Sequence, residues 1–327
     1  MLRKSFFRLI YTIILFFIVI FIISSYLPKI RSYFTPEIID FSLADNITGF
    51  ADPIVPNIIH FFKFRNHNFT FTDMICLLAA WCNQQPNQLL IHCDCVELEG
   101  PYWNHVKNLN GVQVHPMNEP RAVFGRPLSS VYHAGDIARL VVLSRYGGIA
   151  LDFDTYVIQS LDKFRHYELS LGWSIGKSLG CQIIIAHKDA RFLKLWIDSY
   201  RSYRPQQWYY NAGDLPTKIL ERSPYLVHRV PFKFGVDLDV DLLYKTNWPS
   251  WRRFYAIHLL LRHRSYLDQR SEISQFNEEN IRSYSHTFGE MARMVLYGST
   301  DAVNSTENSK WSFDRCQVQY EHRNFKV

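Results

Sequence analysis

The amino-acid sequence predicts an α/β fold preceded by one N-terminal membrane-spanning helix. Three observations carry that expectation. Short apolar runs alternate with segments of helical spacing across most of the 327 residues. The stretch from Leu9 to Leu27 holds no charged residue. Apolar residues make up 47% and aromatic residues 16%, enough for a large core, while 14 Gly and 14 Pro are too few for a collagen-like or low-complexity chain.

Residues 1–8 form a basic head with Arg3, Lys4 and Arg8. The uncharged run 9–27 follows, and at about 1.5 Å per residue it spans most of a hydrocarbon core. It exceeds the roughly 7–15 residues of a signal-peptide apolar region, and Ser24-Ser25-Tyr26 matches a small-x-small cleavage site poorly. The expectation is an uncleaved signal anchor, with a cleaved signal peptide as the alternative. The basic head against Lys29 and Arg31 favours a cytosolic N-terminus, which would leave the rest of the chain outside the cytosol. Residues 28–53, with Pro28, Pro36 and Pro53, read as a stem. Residues 54–298 read as the folded domain, and 299–327 as a polar tail that Cys316 can pin.

Within that domain Pro56-Asn-Ile-Ile-His-Phe-Phe reads as a buried strand. Asp73 to Trp81 has helical spacing at Ile75, Leu78 and Ala79, with Thr72 or Asp73 as N-cap. Gln88 to Cys93 is a second strand and Gly111 to His115 a short third. Ala134 to Tyr146 is a helix with Ile137, Leu140, Val141 and Ser144 on one face, stopped by Gly147-Gly148. The strand Ile149 to Asp154 comes next, followed by strands at Glu168 to Gly172 and Gln182 to Ala186. Arg191 to Tyr203 is an aromatic-rich helix, and Ser274 to Leu296 reads as a long last helix ending at Gly298.

Charge and composition narrow the function. The net charge is +6, with no block of five Lys or Arg, so the concentrated basic face of a nucleic-acid binder is not expected. Asn46-Ile-Thr48, Asn68-Phe-Thr70 and Asn304-Ser-Thr306 are glycosylation acceptors. The six cysteines Cys76, Cys82, Cys93, Cys95, Cys181 and Cys316 would tend to pair in an oxidising lumen, in any of 15 connectivities.

Asp152-Phe153-Asp154 is the leading chemical candidate. Its two carboxylates leave the chain on the same side just past a strand's carboxyl end, where they can share a hard divalent cation. Asp136 and Arg139 share a face of the preceding helix and bring an acid and a fixed cation to the same crevice. Other patterns compete less well. Asp237-Leu-Asp239-Val-Asp241 lacks the Gly and Glu of a calcium loop, since Leu242 and Trp248 stand there. Gly172-Trp-Ser174-Ile-Gly176 fits the nucleophile elbow of a serine hydrolase, but an apolar strand follows where the elbow needs a helix. His92-Cys93-Asp94-Cys95 suits a soft metal or a disulfide. His258, in Tyr255-Ala-Ile-His, suits either a structural role or completion of a Mn²⁺ site.

These pieces together resemble glycosyltransferase family 32, the DXD sugar-binding enzymes. His133-Ala-Gly-Asp-Ile-Ala-Arg-Leu, Tyr146-Gly-Gly-Ile-Ala-Leu-Asp-Phe-Asp154, Pro56-Asn-Ile-Ile-His60 and Tyr255-Ala-Ile-His258 follow the family's order. Gly135 stands for its usual Ser, Ala150 for its usual aromatic, and no Trp closely follows His258. The resemblance implies a GT-A nucleotide-binding domain over 54–298 and a retaining, metal-dependent hexosyl transfer. The donor would be a nucleotide sugar, UDP-galactose or UDP-N-acetylglucosamine ahead of GDP-mannose. The product would be an α-linkage to a glycan or glycolipid. It also implies Mn²⁺ or Mg²⁺ on Asp152, Asp154 and His258, and a donor held by Asp136, Arg139 and Asp152. Ile59 and His60 would line the base pocket. Gln182, Asn211 and Asp214 would act beside the anomeric carbon. With the anchor, it describes a single-pass type II Golgi membrane enzyme. An inactive relative that only binds nucleotide sugar or glycan is the alternative of a different class.

Overall fold

The computed structural model of the protein describes residues 39–261 and 275–303, together with Trp311 and Cys316. The expected anchor at 9–27 lies outside them. Among the described residues no helix is long and apolar enough to cross a membrane. The chain divides into two units, Met1–Leu43 and Ala44–Val327. The second therefore starts ten residues before the expected domain boundary. Residues 44–53, expected in the stem, are bonded into it: Phe50 N donates to His166 O at 2.7 Å, and the Asn46 side chain bonds Glu168 and the carbonyl of Tyr225.

Strand β1 (Ile58–Lys63) and strand β2 (Gln88–Cys93) flank helix α1 (Phe71–Gln84) in sequence. The helix begins earlier than the apolar spacing suggests, because Thr70 supplies the cap. Its hydroxyl accepts from Asp73 N at 3.2 Å, while the Asp73 carboxylate accepts from Thr70 N at 2.8 Å, a reciprocal capping box. Strand β3 (Val112–Pro116) follows, then helix α2 (Val131–Tyr146), capped by Ser130 and ended by Gly147 at φ 66°. Strand β4 (Gly148–Leu151) starts at once. Its first residue has φ 115°, and a Cβ there would sit 2.6 Å from Ile58 O and 2.8 Å from His60 Nε2, so only glycine fits. After a turn come β5 (Thr155–Val157), β6 (Leu169–Gly172), β7 (Ile183–Ala186) and helix α3 (Arg191–Ser199). A π-turn (Tyr210–Asp214) leads into helix α4 (Leu215–Arg222). Strands β8 (His228–Val230), β9 (Phe234–Gly235) and β10 (Ala256–His258) and helix α5 (Thr287–Tyr297) complete the unit.

The main sheet has seven strands in the order β8-β6-β7-β4-β1-β2-β3. β4, β1, β2 and β3 run parallel, as do β8 and β6, and β7 is antiparallel to both its neighbours. Strand alternation sends side chains to two cores. Ile59, Phe61, Ile149, Leu151, Ile183 and Ile185 face a core with α1 and α5, and Ala150, Leu171, Ile184 and Ala186 face a core with α2 and α3. The expected α/β fold is thus realised as a mixed sheet covered on both faces. A small second sheet, β9-β10-β5, pairs His258 with Thr155.

The expected 274–296 helix is not continuous. Ser274 lies outside the described residues, Asn280–Arg282 is a separate 3₁₀ turn, and α5 starts at Thr287. The Arg293 guanidinium takes the carbonyls of Ile281 and Tyr284 at 2.8 and 2.7 Å, so those oxygens have a side-chain donor where a helix would give them backbone N–H groups. Two pairs of cysteines are bonded, Cys82–Cys316 and Cys93–Cys95, while Cys76 and Cys181 are buried free thiols. The expected pinning of the tail by Cys316 is therefore present, with Cys82 of α1 as its partner.

Candidate active site

A cleft of about 610 Å³ opens at the carboxyl ends of β1 and β4, the position at which parallel α/β sheets bind ligands. Strand β4 ends at Leu151, one residue before the acidic pair. Asp152 and Asp154 therefore occupy the turn into β5, with Thr155 N donating to Asp152 O at 2.9 Å. Their carboxylates are half-buried, at 19% and 23% exposed.

Arg139 is the organising charge. Its side chain is 6% exposed and reaches from α2 to both acids: it bonds the Asp152 carboxylate, lies 3.2 Å from Asp136 Oδ1, and donates to Cys181 O at 2.8 Å. Burial opposes its charge, but Asp152, Cys181 and Asp136 outweigh that and hold the guanidinium well above its ordinary range. It is a fixed cation at every accessible pH.

His258 arrives through the β10–β5 pairing. Its Nε2 lies 3.0 Å from Asp154 Oδ1 and 3.8 Å from Asp152 Oδ2, and Asp154 Oδ2 accepts from Leu261 N at 3.1 Å. The ligand atoms of Asp152, Asp154 and His258 all lie within 4.8 Å of one another. Two carboxylate oxygens with one imidazole nitrogen fit Mn²⁺ well and Mg²⁺ less well. The lack of a nearby Trp after His258 does not keep it from the cluster.

Other expected site residues fall elsewhere. Ile59 and His60 are fully buried and do not line the cleft. Counting forward along β1 to its carboxyl end reaches Phe62, Lys63 and Phe64, which do line it. His60 instead braces the sheet: its Nε2 donates to Gly147 O at 2.9 Å, leaving its Nδ1 to accept from His92 Nε2 at 3.0 Å. Gln182 lines the cleft, its backbone oxygen bonded to Asp152 N at 3.0 Å. Its Oε1 is buried and has no protein hydrogen-bond partner. Asn211 and Asp214 do not line the cleft. Asn211 Oδ1 accepts from Arg204 N at 2.9 Å and holds the π-turn's approach, while Asp214 Oδ1 accepts from Ser178 Oγ at 2.8 Å in a separate depression with Lys218 and Arg229. Ser174 is followed by a turn and no helix, so the elbow of a serine hydrolase is not formed. Cys93 and Cys95 are bonded to each other, which resolves the soft-metal alternative toward the disulfide.

Of the glycosylation acceptors, Asn68 is exposed. Asn46 is 3% exposed, and its Nδ2 donates to Glu168 Oε2 and Tyr225 O at 3.2 and 2.9 Å, so a glycan on that nitrogen would displace both bonds. Asn304 lies outside the described residues.

The His60–His92 pair makes a pH prediction. Burial lowers the pKa of His60 to about 4 and that of His92 to about 3, with the neighbouring histidines contributing to both. The unfolded chain binds these protons below an ordinary value of 6.5, whereas the folded chain refuses them until much lower pH. Stability is therefore complete above pH 6.5 and falls as pH drops from 6.5 toward 4, by about 2 kcal/mol per ring at pH 5. Urea midpoints at pH 7.5 and 5.0 check this, and the His92→Phe variant should show a shallower fall.

Residues 102–171 match the family model described as glycosyltransferase sugar-binding region containing DXD motif. Glucan organizing enzyme 1 of Cryptococcus neoformans var. grubii serotype A is 24% identical over 237 residues, covering 68% of this chain and 63% of that protein. The match thus spans less than two thirds of that relative's length. Similar solved structures include the PaToxG glycosyltransferase, with a TM-score of 0.38 and 16% identity over 53% of this chain and 72% of that one. The glycosyltransferase GlyE in Streptococcus pneumoniae TIGR4 has a TM-score of 0.41 and 7% identity over 77% and 66%.

Proposed function

We propose, from the premise that this chain carries the sugar-binding region of the DXD glycosyltransferases, that it is a metal-dependent retaining enzyme of GT-A type. In this reading it moves a hexose from a nucleotide sugar, UDP-galactose or UDP-N-acetylglucosamine, to a glycan or glycolipid in an α-linkage. The observation that carries the reading is the convergence of Arg139, Asp152, Asp154 and His258 in one cleft at the head of β4.

Asp152, Asp154 and His258 would hold Mn²⁺, which when bound supplies Lewis-acid stabilisation of the leaving diphosphate. The buried Arg139 adds a fixed positive field that needs no reorganisation during reaction. Asp136, held by Arg139, offers its carboxylate to donor hydroxyls. Lys63, 2.9 Å from Asp73 at the end of β1, puts a second cation in the cleft wall. Gln182 lines the cleft beside Asp152 and would act next to the sugar carbon as it gains oxocarbenium character. Asn211 and Asp214, expected beside the anomeric carbon, do not line the cleft. The acceptor hydroxyl passes its proton to the departing phosphate oxygen. The uncharged run 9–27 and the exposed Asn68 acceptor support a type II Golgi membrane protein with its catalytic unit in the lumen.

The test is nucleotide release from UDP-galactose, UDP-N-acetylglucosamine and GDP-mannose by the full chain. Release from one donor with Mn²⁺, abolished by EDTA and restored by added Mn²⁺, is the expected result. Metal-dependent nucleotide binding without release from any donor would favour the inactive relative, and no binding at all would end the transferase reading.

A further inference from the structure

Helix α2 lines the cleft along one face at 132, 135, 136 and 139, the spacing of neighbouring turns. Arg139 is deepest and 5% exposed, Asp136 is half-buried, and Tyr132 stands at the mouth with 46% of its surface open. Trp208 is equally open and meets Tyr132 edge to face, with ring centroids 5.0 Å apart. Among the described residues five Phe, Tyr or Trp side chains are exposed, Phe124, Tyr132, Trp208, Tyr225 and Phe232, and two of them touching at a cleft call for a ligand.

We infer that Tyr132 and Trp208, with the bare helix surface at Gly135 between them and Asp136, form the platform that takes the acceptor sugar. The inference rests on the transferase reading above and names a part of it. A hexopyranose has an apolar face of C–H groups that packs on an aromatic ring. Tyr132, Gly135, Trp208, Tyr209 and Ala212, all uncharged, line the cleft together with the Asp136 carboxylate. Aromatic rings beside a carboxylate that can accept from hydroxyl groups suit a neutral sugar.

Gly135 is the second independent observation. A glycine inside a helix costs about 1 kcal/mol against alanine. Neither the backbone nor the packing asks for it here: its φ is not in the left-handed region, and a Cβ would meet nothing within 4 Å. What the glycine leaves is open space on the cleft wall between Tyr132 and Asp136.

The Trp208 segment is held ready. His133 Nε2 donates to Trp208 O at 3.0 Å, and His133 Nδ1 accepts from Tyr203 Oη at 2.6 Å. Ser129 Oγ donates to Pro205 O at 2.9 Å. The same helix thus carries Tyr132, the gap at Gly135 and the anchor for Trp208, so little ordering remains to be done on binding.

The test titrates methyl α- and β-glycosides of galactose, glucose, mannose and N-acetylglucosamine against the full chain with Mn²⁺ and UDP, read by saturation-transfer NMR. At least one glycoside should bind. Its affinity should fall about tenfold in Trp208→Ala and in Gly135→Leu and be largely kept in Trp208→Phe, which retains a ring. UDP affinity should stay within about twofold in all three, which also shows that they fold. Glycoside binding unchanged in both Trp208→Ala and Gly135→Leu would overturn the platform, as would UDP binding with no glycoside bound in the unmodified chain. Absence of UDP binding in the unmodified chain would instead remove the transferase reading on which the platform depends.

Discussion

Asp154→Asn should lower nucleotide release from the donor by about a thousandfold, roughly 4 kcal/mol of transition-state stabilisation. The substitution keeps the shape of the side chain and an oxygen to accept from Leu261 N, but removes the negative charge that faces His258. A neutral amide is a poor ligand for a divalent cation, so the diphosphate would leave without its counter-charge. The carboxylate is 23% exposed, and asparagine keeps an oxygen for Leu261 N, so the cost in stability should stay within about 1 kcal/mol. Rates of release beside urea unfolding curves separate the two effects. A variant that unfolds early, or one that keeps a tenth of its activity, would deny Asp154 its place at the metal.

Arg139→Ala should do the reverse and strike the fold as hard as the activity. The guanidinium is a buried partner of Asp152 and Asp136 and also satisfies Cys181 O. Removing it leaves two half-buried carboxylates crowded together without a counter-charge. Loss of one member of such a network costs about 3–5 kcal/mol, a large share of the roughly 5–15 kcal/mol that holds a domain together. Arg139→Lys should recover only part of this, because one ammonium cannot span three acceptors in the geometry of a planar fork. Pairing Arg139→Leu with Asp152→Asn should restore stability over Arg139→Leu alone, by removing the stranded charge, while activity stays absent. Urea midpoints of the four variants check the set.

The elements that carry the site were legible because local patterns encode them. Residues 148–151 are buried on both faces of the mixed sheet, so they read as an unbroken apolar strand, and Gly147 with Gly148 fixes the turn from α2. The acidic pair follows directly, and Asp136 and Arg139 share one helical face. Contacts across long separations left weaker marks. Ile59 and His60 sit mid-strand, facing the two cores, whereas the cleft belongs to the strand's end at Phe62–Phe64, a distinction that needs the strand's exit point and not merely its identity. Asn211 and Asp214 lie in a stretch of turn-forming residues whose direction is set by bonds to Arg204 and Ser178. Trp208 gave a signal in the run Trp208-Tyr209-Tyr210, too aromatic for an ordinary surface loop, but that run does not say which ring faces the cleft. The last helix was misjudged because Arg293, a residue inside it, supplies donors to the two carbonyls at which the chain breaks.

The pairing of Cys82 with Cys316 has a consequence in time. The two lie 234 residues apart, and at about 5–20 residues per second the ribosome makes the second roughly 10–50 s after the first. Cys93 and Cys95 can close on each other almost as soon as they emerge, which withdraws them as partners. Cys82 then waits as an open thiol, with Cys76 one and a half turns away on the same helix and Cys181 soon to follow. The covalent frame of this chain is completed only once Cys316 has been made. A chain cut short before Cys316, however complete its cleft, would leave the cell's quality control facing a permanently unpaired thiol.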